Sequence, residues 1–209
     1  MSMQLRAGIF SLYWDNIDPR VPYNQKLVMD HFQIPMVQHK IHGLDHGEWM
    51  DWVINTRDDL DVLVFFDIDC IPLDAAKINQ CITMAAGGTL VGNEQASNHL
   101  DPSRLFAAPS FICIPRRIWR AVGKPSCKAT YDGDVAQMLT DSWQYRGFPT
   151  HFLPVKDFEV AKWNLPNRPM SYGIGTNYDD TTYHLFEVRE NANIERFVKK
   201  CESVLHSTL

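Results

Sequence analysis

The stretch that decides the fold is DDLDVLVFFDIDCIPL, residues 58–73. Residues 62–66 (VLVFF) are apolar without a break and are bounded by acidic residues on both sides. A run of this kind predicts a strand covered on both faces, because a half-exposed strand would alternate apolar with polar. Upstream, 8–13 (GIFSLY) reads as a strand and 21–32 as a helix after a turn containing Pro and Asn. Residues 36–41 (MVQHKI) alternate as a short strand. Residues 48–57 (EWMDWVINTR) place Trp49, Trp52, Val53 and Thr56 on one helical face. The order βαβαβ predicts a parallel, right-handed, doubly wound start.

Downstream, 74–86 reads as a helix, GGTLVGN as a turn into a strand, and 110–114 (SFICI) as a strand near the sheet centre. PRRIWRAVG has Pro before a helix and Gly after it, where each is favoured. A further helix is expected over 134–146, ended by Gly147, then a short strand in PTHFLPV. Residues 164–182 are rich in Pro, Gly, Asn and Asp and lack periodicity, which reads as a long loop of the lid or binding type. The tail 192–205 is an amphipathic helix. With no repeat and no linker, the expectation is one α/β domain over 1–209, a mixed but mainly parallel sheet with helices on both faces.

Composition supports a folded core: 45% of the 209 residues are hydrophobic and 22% charged. A net charge of −5 supplies no basic excess to release counterions, so nucleic acid is not an expected partner. The five cysteines are scattered and lack a CxxC pair, which predicts buried reduced thiols rather than a zinc site. The opening residues lack an uninterrupted apolar run and no segment reaches membrane-span length, so the expected location is cytoplasmic.

Asp67 and Asp69 leave the 62–66 strand at its carboxyl end, the address of ligand sites in open α/β sheets. Two carboxylates one residue apart repel unless a cation or a proton sits between them. A hard divalent ion, Mn2+ or Mg2+, relieves that repulsion and leaves positions open for phosphate oxygens. The plainer alternative is one helix-capping Asp and one solvated Asp.

The segment FFDIDCIPL, preceded by βαβα, resembles the DxD motif of GT-A-fold nucleotide-sugar glycosyltransferases. Further pieces follow in that family's order: Asp45-His46-Gly47 before the second helix, Ser110-Phe111 leading into PRRIW, Tyr131-Asp132-Gly133-Asp134 before a helix ending Arg146-Gly147-Phe148, and Tyr183-His184-Leu185. The likeness spans about residues 5–190. It implies a GT-A-like (Rossmann-like) domain with a nucleotide-binding half at about 5–75, an acceptor-side half at about 87–190, and a C-terminal helix at about 192–205. It implies metal-dependent transfer of a sugar from a nucleotide-diphosphate donor, UDP- or GDP-linked, to a glycan, lipid or other hydroxyl acceptor. Asp67, Asp69 and His184 would hold Mn2+ or Mg2+. Ser11, Leu12, Tyr13 and Asp67 would meet the donor; an inverting enzyme would use Asp132 or Asp134 as the base, and a retaining one would need none there. Arg168 and Arg189 are candidate phosphate partners. The acidic motif reads DGD where Glu-Asp is commoner, which leaves its two carboxylates undistinguished, and Asp134 also fits a helix N-cap. Two other readings use the same residues. A haloacid-dehalogenase-like phosphatase would make the first Asp a nucleophile, but that family carries its DxD on the first strand. A catalytically inactive nucleotide-binding module would keep the fold without the reaction.

Overall fold

The structure, a computed structural model, describes residues 5–97, 99–166 and 168–207. A six-stranded sheet runs β2–β1–β3–β6–β5–β7, built from β1 (Ala7–Tyr13), β2 (Met36–Lys40), β3 (Val62–Phe66), β5 (Leu90–Ser97), β6 (Asp101–Pro115) and β7 (Thr150–Leu153). β1 pairs in parallel with β2 and β3, and β5 with β7, while β6 runs antiparallel to both β3 and β5. The sheet is therefore mixed and mainly parallel. β3 lies inside it, paired on both sides, and every residue from Val62 to Phe66 is buried.

Side chains of β3 divide between two cores. Val62, Val64 and Phe66 meet helices α1 (Arg20–His31), α3 (Ala75–Ala86) and α6 (Asn191–His206). Leu63 and Phe65 meet α2 (His46–Thr56), α4 (Arg116–Ala121) and α5 (Gln137–Tyr145). Each buried Phe of this strand contributes about 1.5–3 kcal/mol over an exposed one, so the apolar run is what attaches both helical layers. The start of α2 packs tightly: a Cβ on Gly47 would lie 2.6 Å from the Cys127 carbonyl oxygen. Glycine there lets the helix N-terminus reach the 127–128 backbone.

Three expectations need correction. Residues 164–182 are not a long loop. After β8 (Val155–Asp157) and β9 (Val160–Asn164), they hold β10 (Ser171–Ile174), β11 (Thr176–Tyr178) and the start of β12 (Thr182–His184). Tyr172, Ile174 and Tyr178 are buried in the first core, so this segment is core rather than lid. Strands of three and four residues, broken by Gly175 at φ +67 and by Asp179 and Asp180 at positive φ, are too short to show a period. β6 is the second correction: it extends far beyond 110–114 because its first half forms a hairpin with β5. The third is the helix expected from Asp134, which begins at Gln137 because Ala136 is left-handed at φ +65. Among the described residues no helix is long and apolar enough to cross a membrane.

All five cysteines are free and buried. Burial pushes the Cys81 thiol up to about 11 and Cys201 up to about 12. We predict that native protein at pH 8 leaves Ellman's reagent unreacted over minutes and that all five thiols react in denaturant; rapid stoichiometric labelling of native protein would contradict the fold.

Candidate metal and donor site

β3 ends at Phe66, and the chain turns through Asp67, Ile68 and Asp69 into β4 (Cys70–Pro72). The turn closes by a Cys70 N–H donating to the Asp67 carbonyl at 3.0 Å. β4 pairs antiparallel with β12, and the register sets His184 opposite Cys70. That pairing brings a residue over a hundred positions away onto the carboxylates. His184 Nε2 lies 3.2 Å from Asp69 Oδ1 and 3.6 Å from Asp67 Oδ2. The three side chains offer ligand atoms all within 4.8 Å of one another. Two carboxylates and an imidazole on the wall of an open cavity fit a divalent ion such as Mn2+ or Mg2+.

Burial pushes the Asp67 carboxyl up, and the neighbouring charges of Asp69 and Asp134 push it the same way against His46 and His184. Asp69 behaves oppositely: burial would raise it, but the adjacent His184 outweighs burial and holds it down. His184 is raised, because Asp69 and Asp67 outweigh the burial that would lower it. Asp69 and His184 thus form a buried pair, with Asp67 the carboxylate left poorly compensated. His184 Nδ1 is buried without a hydrogen-bond partner, so the ring's polar contacts are all made through Nε2.

A cavity of about 590 Å³ opens over this cluster, lined by Leu12, Trp14, His46, Asp67, Asp69, Asp134, His184 and Arg189, among others. A second cavity of about 500 Å³ adjoins it, sharing Trp14 and Ile17 and lined by Tyr13, Tyr23, Gln38 and Lys40. Leu12 thus faces the first cavity and Tyr13 the second. Ser11 is fully buried and lines neither. The two acidic candidates separate. Asp134 lines the first cavity, its carboxylate accepting from the Val135 N–H at 2.8 Å. It does not cap α5, whose N-cap is Ala136. Asp132 is exposed and accepts from the Thr130 hydroxyl at 2.9 Å. Arg189 reaches the cavity and stacks over the Trp14 ring at 5.7 Å, whereas Arg168 is paired with the buried Glu94.

Two cavity residues were given no chemical role by the sequence: His46, read only as part of the Asp45-His46-Gly47 turn, and Trp14. His46 Nε2 sits 3.4 Å from Asp67 Oδ1. It is the first residue of α2, placed there by Asp45, whose carboxylate caps the Gly47 and Glu48 N–H groups. The turn that opens the helix was legible; the aim of His46 at Asp67 was not. Trp14 follows the β1 strand end by one residue and carried no chemical signal of its own.

No protein-family model matches the chain, and no curated protein matches it. Solved structures do. A putative glucose-1-phosphate thymidylyltransferase from Bacillus anthracis, in complex with a sucrose, aligns with TM-score 0.50 at 6% identity, over 93% of this chain and 95% of that one. The fold is GT-A-like. The catalytic domain of Drosophila beta1,4-galactosyltransferase 7 in complex with xylobiose gives TM-score 0.47 at 11% identity, over 87% of this chain and 71% of that one. A D211N mutant of the same Drosophila enzyme, in complex with manganese, UDP-Gal and xylobiose, gives 0.45 at 12%, over 85% and 70%.

Substitution separates the two carboxylates. We predict that Asp67→Asn and Asp69→Asn each abolish Mn2+ binding by calorimetry, with opposite effects on the metal-free protein. Asp69→Asn removes the partner of a buried histidine and should cost about 1–3 kcal/mol in urea unfolding, while Asp67→Asn should leave stability unchanged or raised. Equal losses of stability, with Mn2+ binding retained, would make both residues structural.

Proposed function

We propose that this protein is a metal-dependent glycosyltransferase that moves a sugar from a nucleotide-diphosphate donor, UDP- or GDP-linked, to an acceptor hydroxyl. The observation that carries the reading is the convergence of Asp67, Asp69 and His184 on one cavity that also holds Asp134 and Arg189. A divalent ion bound by the first three would neutralise charge building on a departing diphosphate. Arg189 supplies a fixed cation to the same cavity, and its stacking on Trp14 limits its rotamers. Tyr13 and Trp14 offer aromatic faces to a nucleobase in the adjoining cavity. Leu12 adds an apolar wall between metal cluster and base, and buried Ser11 is not assigned a donor contact.

Asp134 is the acceptor-side base in this reading. An inverting transfer needs a carboxylate within reach of the acceptor oxygen, and of the DGD pair Asp134 is the one on the cavity. The phosphatase reading has weaker support here: its late acidic motif would fall to Gly133-Asp134 and Asp141, and Asp141 is tied to Arg104 at 3.2 Å and does not line this cavity.

The test is a thermal-shift screen of UDP-, GDP-, CMP- and dTDP-sugars with and without Mn2+, followed by turnover of the best binder. Stabilisation that needs both nucleotide and metal, with metal-dependent release of nucleoside diphosphate, supports the proposal. Binding without turnover would identify an inactive module, and release of phosphate from simple monoesters would identify a phosphatase. We further predict that Asp134→Asn lowers transfer about 100-fold or more while donor affinity is retained, since proton removal matters chiefly in the transition state. Asp132→Asn should transfer normally; the reverse pattern would move the base to Asp132.

A further inference from the structure

The turn that carries Asp67 and Asp69 is held from beneath by a residue outside the cavity. Gln25, in the middle of α1, is fully buried among Val21, Val28 and Met29. A leucine would serve α1 packing at that position, and a buried primary amide costs free energy unless its polar atoms are bonded. Gln25 Nε2 donates to the Asp67 carbonyl at 2.7 Å and to the Cys70 carbonyl at 2.8 Å. These are the first and last carbonyls of the turn. The turn's backbone is also bonded from Asp67 N–H to the Ser110 carbonyl, from Cys70 N–H to the Asp67 carbonyl and from Leu185 N–H to the Asp69 carbonyl. Gln25 Oε1 accepts in turn from Gln38 Nε2 at 3.0 Å, and Gln38 also donates to the Pro22 carbonyl at 2.9 Å.

The sheet register explains how one amide spans this distance. Ser11 pairs with Gln38 on one side and Phe66 on the other, so the three residues form one row across β2, β1 and β3. Parallel partners point to the same face, and the small buried Ser11 stands between Gln38 and the strand end that leads into Asp67. Gln38 also lines the second cavity. The chain of bonds therefore runs from that cavity, through Gln38 and Gln25, to the backbone of the metal-holding turn.

We propose that Gln25 is a positioning residue that sets the spacing of Asp67 and Asp69 for a metal ion, with Gln38 fixing the orientation of its amide. This rests on the reading of Asp67, Asp69 and His184 as ligands. Partners of this kind hold first ligands in register, and their loss commonly weakens metal binding ten- to a hundredfold. Gln25→Met keeps length and burial but removes both donors. Gln38→Met removes the donor to Gln25 and leaves Gln25 in place.

The experiment measures Mn2+ affinity by calorimetry at 15 °C, where circular dichroism shows each variant folded, beside metal-free urea unfolding. Wild type and Asp69→Asn bracket the range. The expected result is binding weakened roughly tenfold or more in Gln25→Met and a smaller loss in Gln38→Met. Reduced stability with Mn2+ affinity within about twofold of wild type would make Gln25 a helix anchor only and overturn the proposal. If Gln25→Met does not fold, Gln38→Met decides: weakened Mn2+ binding supports the relay and wild-type affinity refutes it. Wild-type protein that binds Mn2+ no better than Asp69→Asn overturns the ligand reading itself, and the role of Gln25 with it.

Discussion

Two carboxylates leave one buried strand a single residue apart, and their burial sets what the surrounding structure must supply. Asp69 is compensated by His184 at 3.2 Å, and Asp67 stands between His184 and His46. Burial strengthens these interactions because little water remains to screen them. The imidazoles reach the site by different means, one from a strand paired to β4 and one from the first turn of a capped helix. The cluster has the balance expected of a site that holds a cation: one well-compensated carboxylate, and one that gains most when positive charge arrives.

The scaffold serves that placement. β3 carries no polar residue from Val62 to Phe66 and is enclosed by two helical layers, so its end is a fixed point. β6, antiparallel beside it, accepts the Asp67 N–H through the Ser110 carbonyl. The two smaller sheets, β4–β12–β11–β8 and β10–β9, deliver His184 and then the segment through Arg189. Phe186 and Glu187 there are both left-handed, a conformation that costs non-glycine residues about 1–2 kcal/mol each. The Phe186 ring packs tilted against His184, with centroids 3.8 Å apart, and Glu187 pairs with Lys162.

The legible parts of this molecule are those with long, regular signals. The βαβαβ start, the helices and the apolar run of β3 follow from periodicity, and the carboxylate pair follows from its position after a buried strand. His184 was reached through family resemblance, since one histidine after a polar stretch has no pattern of its own. The β10–β12 strands are three or four residues long and interrupted by turn residues, so no period survives. Asp134 lines the cavity and Asp132 does not, a difference the DGD spacing does not carry, just as it does not show the left-handed Ala136 that starts the next helix late. The contacts of His46 and Gln25 were illegible for a related reason: each acts across the fold, on residues 21 and 42 positions away, and each sits in a helix whose local pattern is already satisfied.

The most direct test of the central claim is a crystal structure grown with Mn2+ and UDP, with anomalous data collected at the manganese edge. One strong anomalous peak is expected, coordinated by Asp67, Asp69 and His184, with the diphosphate on the Arg189 side and the base against Trp14 and Tyr13. A peak elsewhere, or UDP bound with no metal between it and the two carboxylates, would contradict it.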